Sequence, residues 1–318
     1  MAFAGARIER HLIGIGDDAA AIAPGLEALV WTIDSAIEGI HFRRDLVSFA
    51  DLGFRATMAA VSDLAAMGAR PLGVLASLVL PSDIDDEALV ALAGGQRAAC
   101  DALRTAVLGG NLARGGELSI TTTVLGESVD PLRRDGARAG DALWLSGPVG
   151  LAASGLALLE SQRKREPGSL PQELSGLSAA ARLAVEVWRR PLARIEAGLL
   201  ARSLASAAID ISDGLARDAG HLARASGVRA VIDPTTLLTA PLVAAAAELG
   251  RAPLDLALYG GEDYALLVAA PARAHLQDFT RIGGCEPPEE GASPVALVAP
   301  DGSLIAIAER GFDHFSPH

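Results

Sequence analysis

The chain is short of the groups on which several familiar chemistries depend. Its 318 residues hold a single lysine, Lys164, in the polar stretch SQRKREPGS, against 26 arginines. No GxxxxGKS or GxxxxGKT motif occurs, so neither a P-loop lysine nor a Schiff-base lysine is expected. The two cysteines, Cys100 and Cys285, are far apart and lack CxxC or CxxxH spacing, which excludes a disulfide framework and a zinc site of that kind. Phe, Trp and Tyr make up only 4% of the sequence. No apolar run reaches the roughly eighteen residues that a membrane span requires. The N-terminus, MAFAGARIERHLIGIGDD, has no apolar signal core, and the expectation is a soluble cytoplasmic protein. Positive charge is also scarce: 39 acidic against 27 basic residues give a net charge of −12, which argues against nucleic acid as a partner.

What is abundant is alanine, 63 residues of it, within a hydrophobic half of the chain. Alanine adds little buried area, so helices must approach closely to pack. A chain of this length suits two domains, because single cores rarely grow past about 250–300 residues. Branched runs predict strands near 28–34, 72–80, 117–126, 142–146, 207–211, 229–233 and 264–270. Periodic alanine-rich segments predict helices near 49–68, 85–104, 149–160, 192–205, 213–226 and 241–250. The expected class is therefore α+β, with α/β mixed units in two halves. The polar stretch 127–141 (ESVDPLRRDGARAGD) marks the boundary, giving domains 1–135 and 136–318, and 161–178 reads as a loop.

The informative residues are carboxylates placed among apolar or small neighbours, where a charge is costly unless it is paired. Asp17 and Asp18 lie in the glycine turn GIGDDAAAI, and Asp34 ends the strand-like WTID. Asp63 interrupts an alanine-rich helix in AAVSDLAAMG. Asp210 and Asp213 straddle a strand-to-helix junction in AIDISDGLARD, and Glu262 and Asp263 follow two glycines in YGGEDYALLV. Each has an ordinary alternative; Ser212 and Asp213, for example, could simply cap the next helix. Together, without a His or Cys cluster, they favour a hard cation such as Mg²⁺ bound along with phosphates. Two unit charges 4 Å apart interact by roughly 4 kcal/mol at an effective dielectric near 20. Phosphates brought to reacting distance repel by several times that, and divalent ions rather than one arginine would offset it.

These same segments resemble the thiamine-monophosphate kinases, of the superfamily that includes aminoimidazole ribonucleotide synthetase. The likeness covers nearly the whole chain. It rests on GIGDDAA (14–20), TIDSAIEGIHF (32–42), SDLAAMGARP (62–71), GGN (109–111), IDISDGLARDAGH (209–221), GGEDYALL (260–267) and GFDHF (311–315). It implies a two-domain aminoimidazole ribonucleotide synthetase-like fold, with N-terminal sheets pairing into a barrel across a homodimer. It also implies ATP and several Mg²⁺ ions in the cleft between domains. The implied reaction passes the γ-phosphoryl group to thiamine monophosphate and yields thiamine diphosphate. Carried over by motif, the metal-binding positions are Asp18, Thr32, Asp34, Asp63, Asp210 and Asp213, with Asp63 and Asp213 closest to catalysis. Gly110, Asn111, Arg134 and Ser212 take nucleotide-binding roles, and His41, Glu262 and Phe312 take substrate-binding roles.

Two positions depart from the family pattern. A Gly-Gly-Asp turn reads Gly-Gly-Asn at Asn111, and the hydroxyl residue before the strand-end aspartate is Ile33. The resemblance implies that both fall on one magnesium site. An amide oxygen brings no charge, and Ile33 offers at most its backbone carbonyl. The alternative to an active kinase is therefore a weakly active or non-catalytic paralogue that binds nucleotide or thiamine phosphate. The segment before GIGDD is also shorter than the resemblance implies.

Overall fold

Strands and helices alternate along the chain, but the strands separate into two large sheets and one small ribbon. The structure, a computed structural model, describes residues 11–13, 21–165 and 176–311. The ribbon pairs β1 (His11–Ile13) with β2 (Ala21–Ile22). The first sheet contains β3 (Ala28–Ile37), β4 (Arg70–Leu80), β5 (Val107–Arg114) and β6 (Ser119–Ser128), in the order β3-β6-β4-β5. All its pairings are antiparallel except β4 with β5, which are joined by a helical crossover. The sheet is open, with β3 and β5 as its two edges, and no closed sheet forms among the described residues.

Two helices cover one face of this sheet, α1 (Phe49–Ala66) and α2 (Asp86–Ala102). Each starts on a side-chain cap: Ser48 accepts from the Asp51 N–H at 3.1 Å, and Asp85 accepts from the Ala88 N–H at 2.8 Å. The two helices touch backbone to backbone. A Cβ at Gly53 would meet the Leu92 carbonyl at 2.0 Å, and one at Gly95 the Ala50 carbonyl at 1.8 Å. This is the close approach that the alanine-rich composition predicts. Period-two alternation then sends Val74, Ala76 and Leu78 of β4 and Ile120, Thr122 and Val124 of β6 under the helices. Leu29, Trp31 and Ile33 of β3 and Leu75 of β4 lie on the opposite face and are exposed.

The second sheet has seven strands: β7 (Asp141–Leu145), β8 (Ala207–Asp210), β9 (Arg229–Ile232), β10 (Leu266–Pro271), β11 (Thr280–Glu286), β12 (Val295–Val298) and β13 (Leu304–Ala306). Their order is β13-β12-β9-β11-β7-β10-β8, and only β12 with β9 is parallel. The associated helices are α3 (Leu151–Arg165), α4 (Ala179–Arg189), α5 (Ile195–Ala201), α6 (Leu215–Ser226), α7 (Ala240–Leu249) and α8 (Pro253–Tyr259). The central strands are buried on both faces, which explains their continuous apolar reading. Leu143, Leu145, Ile209 and Leu267 share a core with Leu159 of α3, Val185 of α4, Leu222 of α6 and Ala246 of α7. Ala142, Trp144, Ala208 and Val268 turn the other way, toward Val61, Leu64 and Ala65 of α1 and Ile195 of α5.

Helix α1 thus belongs to the first sheet by sequence and also covers the second. Burying a Val or Leu contributes about 1.5–3 kcal/mol, so Val61 and Leu64 alone fasten the halves firmly. This packing lays the C-terminal part of α1, at Ser62 and Asp63, beside the end of β8 at Asp210, where the predicted acidic residues sit.

Most predicted elements recur within a few residues, with specific exceptions. The helix expected over 192–205 is only α5, Ile195–Ala201, and α4 precedes it. The missed β5 and β11 each carry a Gly-Gly pair that masks their strand character, and β11 has an irregular register between Arg281 and Gly283. The missed α8 opens on Pro253, which fits the first helical turn but reads as a break. The predicted loop 161–178 is shorter at its start, because α3 continues to Arg165, while α4 starts at Ala179 as the loop's end implies; residues 166–175 lie outside the described residues.

Candidate active site

A cleft of about 560 Å³ runs between the two halves. Asp34, Ile33, His41 and Asp63 line one wall, and Asp210, Ser212, Asp213 and Glu262 line the other. A second cleft of about 530 Å³ opens on the far side of Asp63, lined by Thr32, Asp63, Arg133 and Arg134. Asp63 lines both clefts.

The first wall is presented by regular elements. Thr32 and Asp34 fall on one face of β3, and the Thr32 hydroxyl donates to Asp63 Oδ2 at 2.5 Å. The preceding residue on α1, Ser62, donates from its buried hydroxyl to Asp210 Oδ2 at 2.7 Å. One turn of α1 therefore supports a carboxylate on each wall. Asp34 Oδ1 accepts from the Ser35 N–H at 2.7 Å, and His41 Nδ1 accepts from the Ile37 N–H at 3.1 Å.

The second wall is irregular. After β8 the chain turns at Ser212–Gly214, and buried Asp218 holds the turn by accepting from the N–H groups of Ser212, Asp213 and Gly214 at 3.1, 3.1 and 3.2 Å. Against this turn lies the segment 260–264. The Glu262 N–H donates to the Ser212 carbonyl at 2.8 Å, and the Tyr264 N–H to Ile211 at 2.9 Å. Glu262 and Tyr264 have φ of 66° and 49°, a left-handed conformation unusual for side-chain-bearing residues and costly unless held in place. Gly261 is required by proximity, since a Cβ there would sit 2.4 Å from the Ser212 carbonyl. Asp263 points inward and caps α3, accepting from the N–H groups of Gly150 at 2.6 Å and Ala152 at 3.2 Å.

Crowding of acids governs the electrostatics. Burial raises the pKa of Asp63, and Asp34 adds to the rise, while Thr32 and the Arg134 guanidinium oppose it. Burial and then the nearby Asp63 push Asp210 up to about 6, against the Ser62 hydrogen bond and Arg134. Asp218 is pushed up to about 8 by burial, with Asp210 and Asp213 adding to it. A cation would relieve this repulsion, and the donors are hard oxygens only. Among the described residues, no three His, Cys, Asp or Glu side chains gather tightly enough to form a metal cage by themselves. Such spread carboxylates fit Mg²⁺ in its usual setting, where one or two carboxylates share the ion with phosphate oxygens and water.

Of the residues singled out from sequence, Thr32, Asp34, His41, Asp63, Arg134, Asp210, Ser212, Asp213 and Glu262 come together in these two connected clefts. Gly110 and Asn111 do not join them within one chain. They lie on β5, the sheet edge opposite β3, so Asn111 is not beside Ile33 as a single intrachain site would need. Asp18 and Phe312 lie outside the described residues. Sequence reasoning passed over Asp218, Asp263 as a helix cap, Arg55 and Trp188. Arg55 carried a usable signal: a charge among apolar residues in an alanine-rich helix, the same argument that singled out Asp63.

Comparison with known proteins defines the class first. The profile for AIR synthase related protein, N-terminal domain, matches residues 16–128, and that for its C-terminal domain matches residues 138–286. The thiamine-monophosphate kinase of Aquifex aeolicus is 34% identical over 304 residues, covering 95% of this chain and 92% of the relative. That of Salmonella typhimurium is 34% identical over 316 residues, with the same coverage of both chains. A solved structure of AaThiL complexed with AMPPCP and TMP superposes with a TM-score of 0.80 at 33% identity, covering 95% of this chain and 92% of that one. The chain belongs to the thiamine-monophosphate kinase family within the AIR synthase related proteins.

Proposed function

We propose that this chain transfers the γ-phosphoryl group of ATP to thiamine monophosphate, forming thiamine diphosphate and ADP. The observation that carries the reading is the convergence of Asp34, Asp63, Asp210 and Asp213 on one interdomain cleft, in a chain that matches kinases of this specificity over 95% of its length. The related AaThiL structure holds AMPPCP and TMP together, an ATP analogue and the proposed acceptor.

In this reading Arg134 and Ser212 hold the nucleotide, and His41 and Glu262 hold thiamine monophosphate. Asp18 and Phe312 keep the metal and substrate roles implied by the family resemblance. Thr32, Asp34, Asp63, Asp210 and Asp213 would hold Mg²⁺. When bound, Mg²⁺ neutralises charge on the two approaching phosphates. The acceptor is an ionised phosphate and needs no strong general base, so the protein's part is positioning and a preorganised polar environment. Asp63 and Asp213, on facing walls, set the separation across which the phosphates meet.

We place the domain division at 135/136, supported by the gap between the last strand of the first sheet at Ser128 and the first strand of the second at Asp141. We also propose a homodimer whose open sheets pair into a barrel. The exposed apolar face supports it: Trp31 is 69% and Ile33 65% exposed on the uncovered side. The placement of Asn111 supports it too, because only a second copy can bring a β5 edge to a β3 edge and so carry Gly110 and Asn111 of the partner subunit toward the cleft. The proposal includes a cytoplasmic site of action, where ATP is supplied. A weakly active paralogue is not favoured, since the four described aspartates assigned to Mg²⁺, Asp34, Asp63, Asp210 and Asp213, all line the cleft despite Ile33 and Asn111.

The test is direct. Purified protein with ATP, Mg²⁺ and thiamine monophosphate should release ADP and thiamine diphosphate in equal amounts, read by chromatography. ADP release that does not depend on thiamine monophosphate would overturn the reading.

A further inference from the structure

Glu262 is gripped by two side chains that come from different halves of the molecule. Arg55, on α1, donates through Nη2 to Glu262 Oε1 and through Nη1 to the Trp188 carbonyl. Trp188, on α4, donates through Nε1 to Glu262 Oε2 at 2.9 Å. The guanidinium carbon of Arg55 lies 4.6 Å from the Trp188 ring centroid, so the two clamping groups also stack on each other. One turn away the halves are clasped again: Arg190 pairs with Asp51 at 3.0 Å and lies 3.9 Å over the Phe54 ring.

Burial gives this arrangement a direction. The Arg55 side chain is 5% exposed and that of Glu262 is 28% exposed, so the arginine stands behind the carboxylate, which faces the cleft. Each Glu262 oxygen is tied on its protein side, which fixes the carboxylate plane and leaves outward lone pairs toward the cavity. The Arg55 charge balances that of Glu262. The cleft therefore meets an oriented hydrogen-bond acceptor at this point, not an uncompensated anion.

We propose that Arg55 and Trp188 are positioning residues for acceptor recognition, holding Glu262 so that it accepts a hydrogen bond from an N–H group of the phosphoryl acceptor. The aminopyrimidine of thiamine offers such a donor. This rests on the reading of Glu262 as a contact to thiamine monophosphate. Because Arg55 and Trp188 lie on opposite halves, the acceptor site is complete only when α1 and α4 are docked, and recognition depends on the domain arrangement.

The experiment is a double-mutant cycle on the full chain, measuring kcat and the KM values for both substrates. Arg55→Met and Trp188→Phe should each raise KM for thiamine monophosphate by about tenfold or more, with kcat and KM for ATP within about threefold. Arg55→Lys should recover part of the loss. In a Glu262→Gln background, Arg55→Met should add little, since its effect passes through Glu262. Unchanged KM in both single variants, or a full additive loss in the double variant, would overturn the proposal. Should Arg55→Met fail to fold, Trp188→Phe, which removes the donor and keeps a smaller aromatic ring in place, decides the matter. An unaltered KM in Glu262→Gln alone would instead overturn the assignment of Glu262, a result distinguishable from failure of the positioning role.

Discussion

The two walls of the cleft hold their acids by opposite means. On the first wall, Asp34 and Asp63 ride on a strand and a helix, and each carboxylate has one local donor, the Ser35 N–H on Asp34 and the Thr32 hydroxyl on Asp63. On the second wall, Asp213 and Glu262 sit in irregular backbone held by two buried acids: Asp218 accepts from the N–H groups of the Ser212–Gly214 turn, and Asp263 ties the 260–264 segment to the start of α3. The first wall is as rigid as the packing of α1 between the sheets. The second is as rigid as Asp218 and Asp263. Removing a support should therefore cost little on the first wall and much on the second, whereas removing the functional carboxylates should be severe on either.

The largest effect is expected from those carboxylates. Asp63→Asn and Asp213→Asn should each lower kcat by about a thousandfold at saturating substrates, since each removes a charge facing the transferring phosphoryl group. Near-normal turnover in one of them would show that the cleft works from a single wall. Next come the supports. Asp218→Ala leaves three N–H groups of the turn, one of them buried, without their acceptor at about 1 kcal/mol each and frees the Ser212–Gly214 turn, so both kcat and the melting temperature should fall, the former by about a hundredfold. Thr32→Ala removes one hydrogen bond and should lower kcat by less than about tenfold, with melting nearly unchanged. A larger loss from Thr32→Ala than from Asp218→Ala would break the comparison between the walls.

The same contrast explains what was readable from sequence. Asp63 stood out because an acid is conspicuous in an alanine-rich helix; Asp34 stood out as the apparent end of a strand, although β3 runs on to Ile37, and both line the cleft. Asp210, Asp213 and Glu262 stood out by their glycine and strand-end settings, but nothing local revealed the left-handed Glu262 or its grip by Arg55 and Trp188, at a sequence separation of 207 residues for the arginine. Asp218 was quoted within the motif, yet its role depends on the chain folding back over five residues. Of the fold, strands buried on two faces were plain as apolar runs. The Gly-Gly strands β5 and β11 were not, because their strand state comes from neighbouring partners rather than from their own side chains. Asn111 shows the remaining gap, since a motif gives an order along the chain while the sheet order puts that residue on the far edge.

The smallest expected effect separates the neighbours Glu262 and Asp263. Burial pushes Asp263 up to about 7, with Glu262 adding to it, while the N–H groups of Gly150 and Ala152 and the Arg194 guanidinium pull the other way. Its folded pKa lies above the ordinary 3.8, so between those values the native chain binds a proton that the unfolded chain has released. The stability contributed by this group is full below about pH 4 and is lost as pH rises through about 7. Asparagine at this position does not titrate and keeps one acceptor for the α3 cap. Melting curves of wild type and Asp263→Asn at pH 5 and pH 8 should therefore converge or cross in one direction only, the wild type losing more of its margin at the higher pH. Parallel profiles would mean that the two N–H bonds and Arg194 outweigh burial and keep Asp263 ionised throughout. The second wall would then rest on a permanent charge at the start of α3, and a neutral replacement would weaken it equally at every pH.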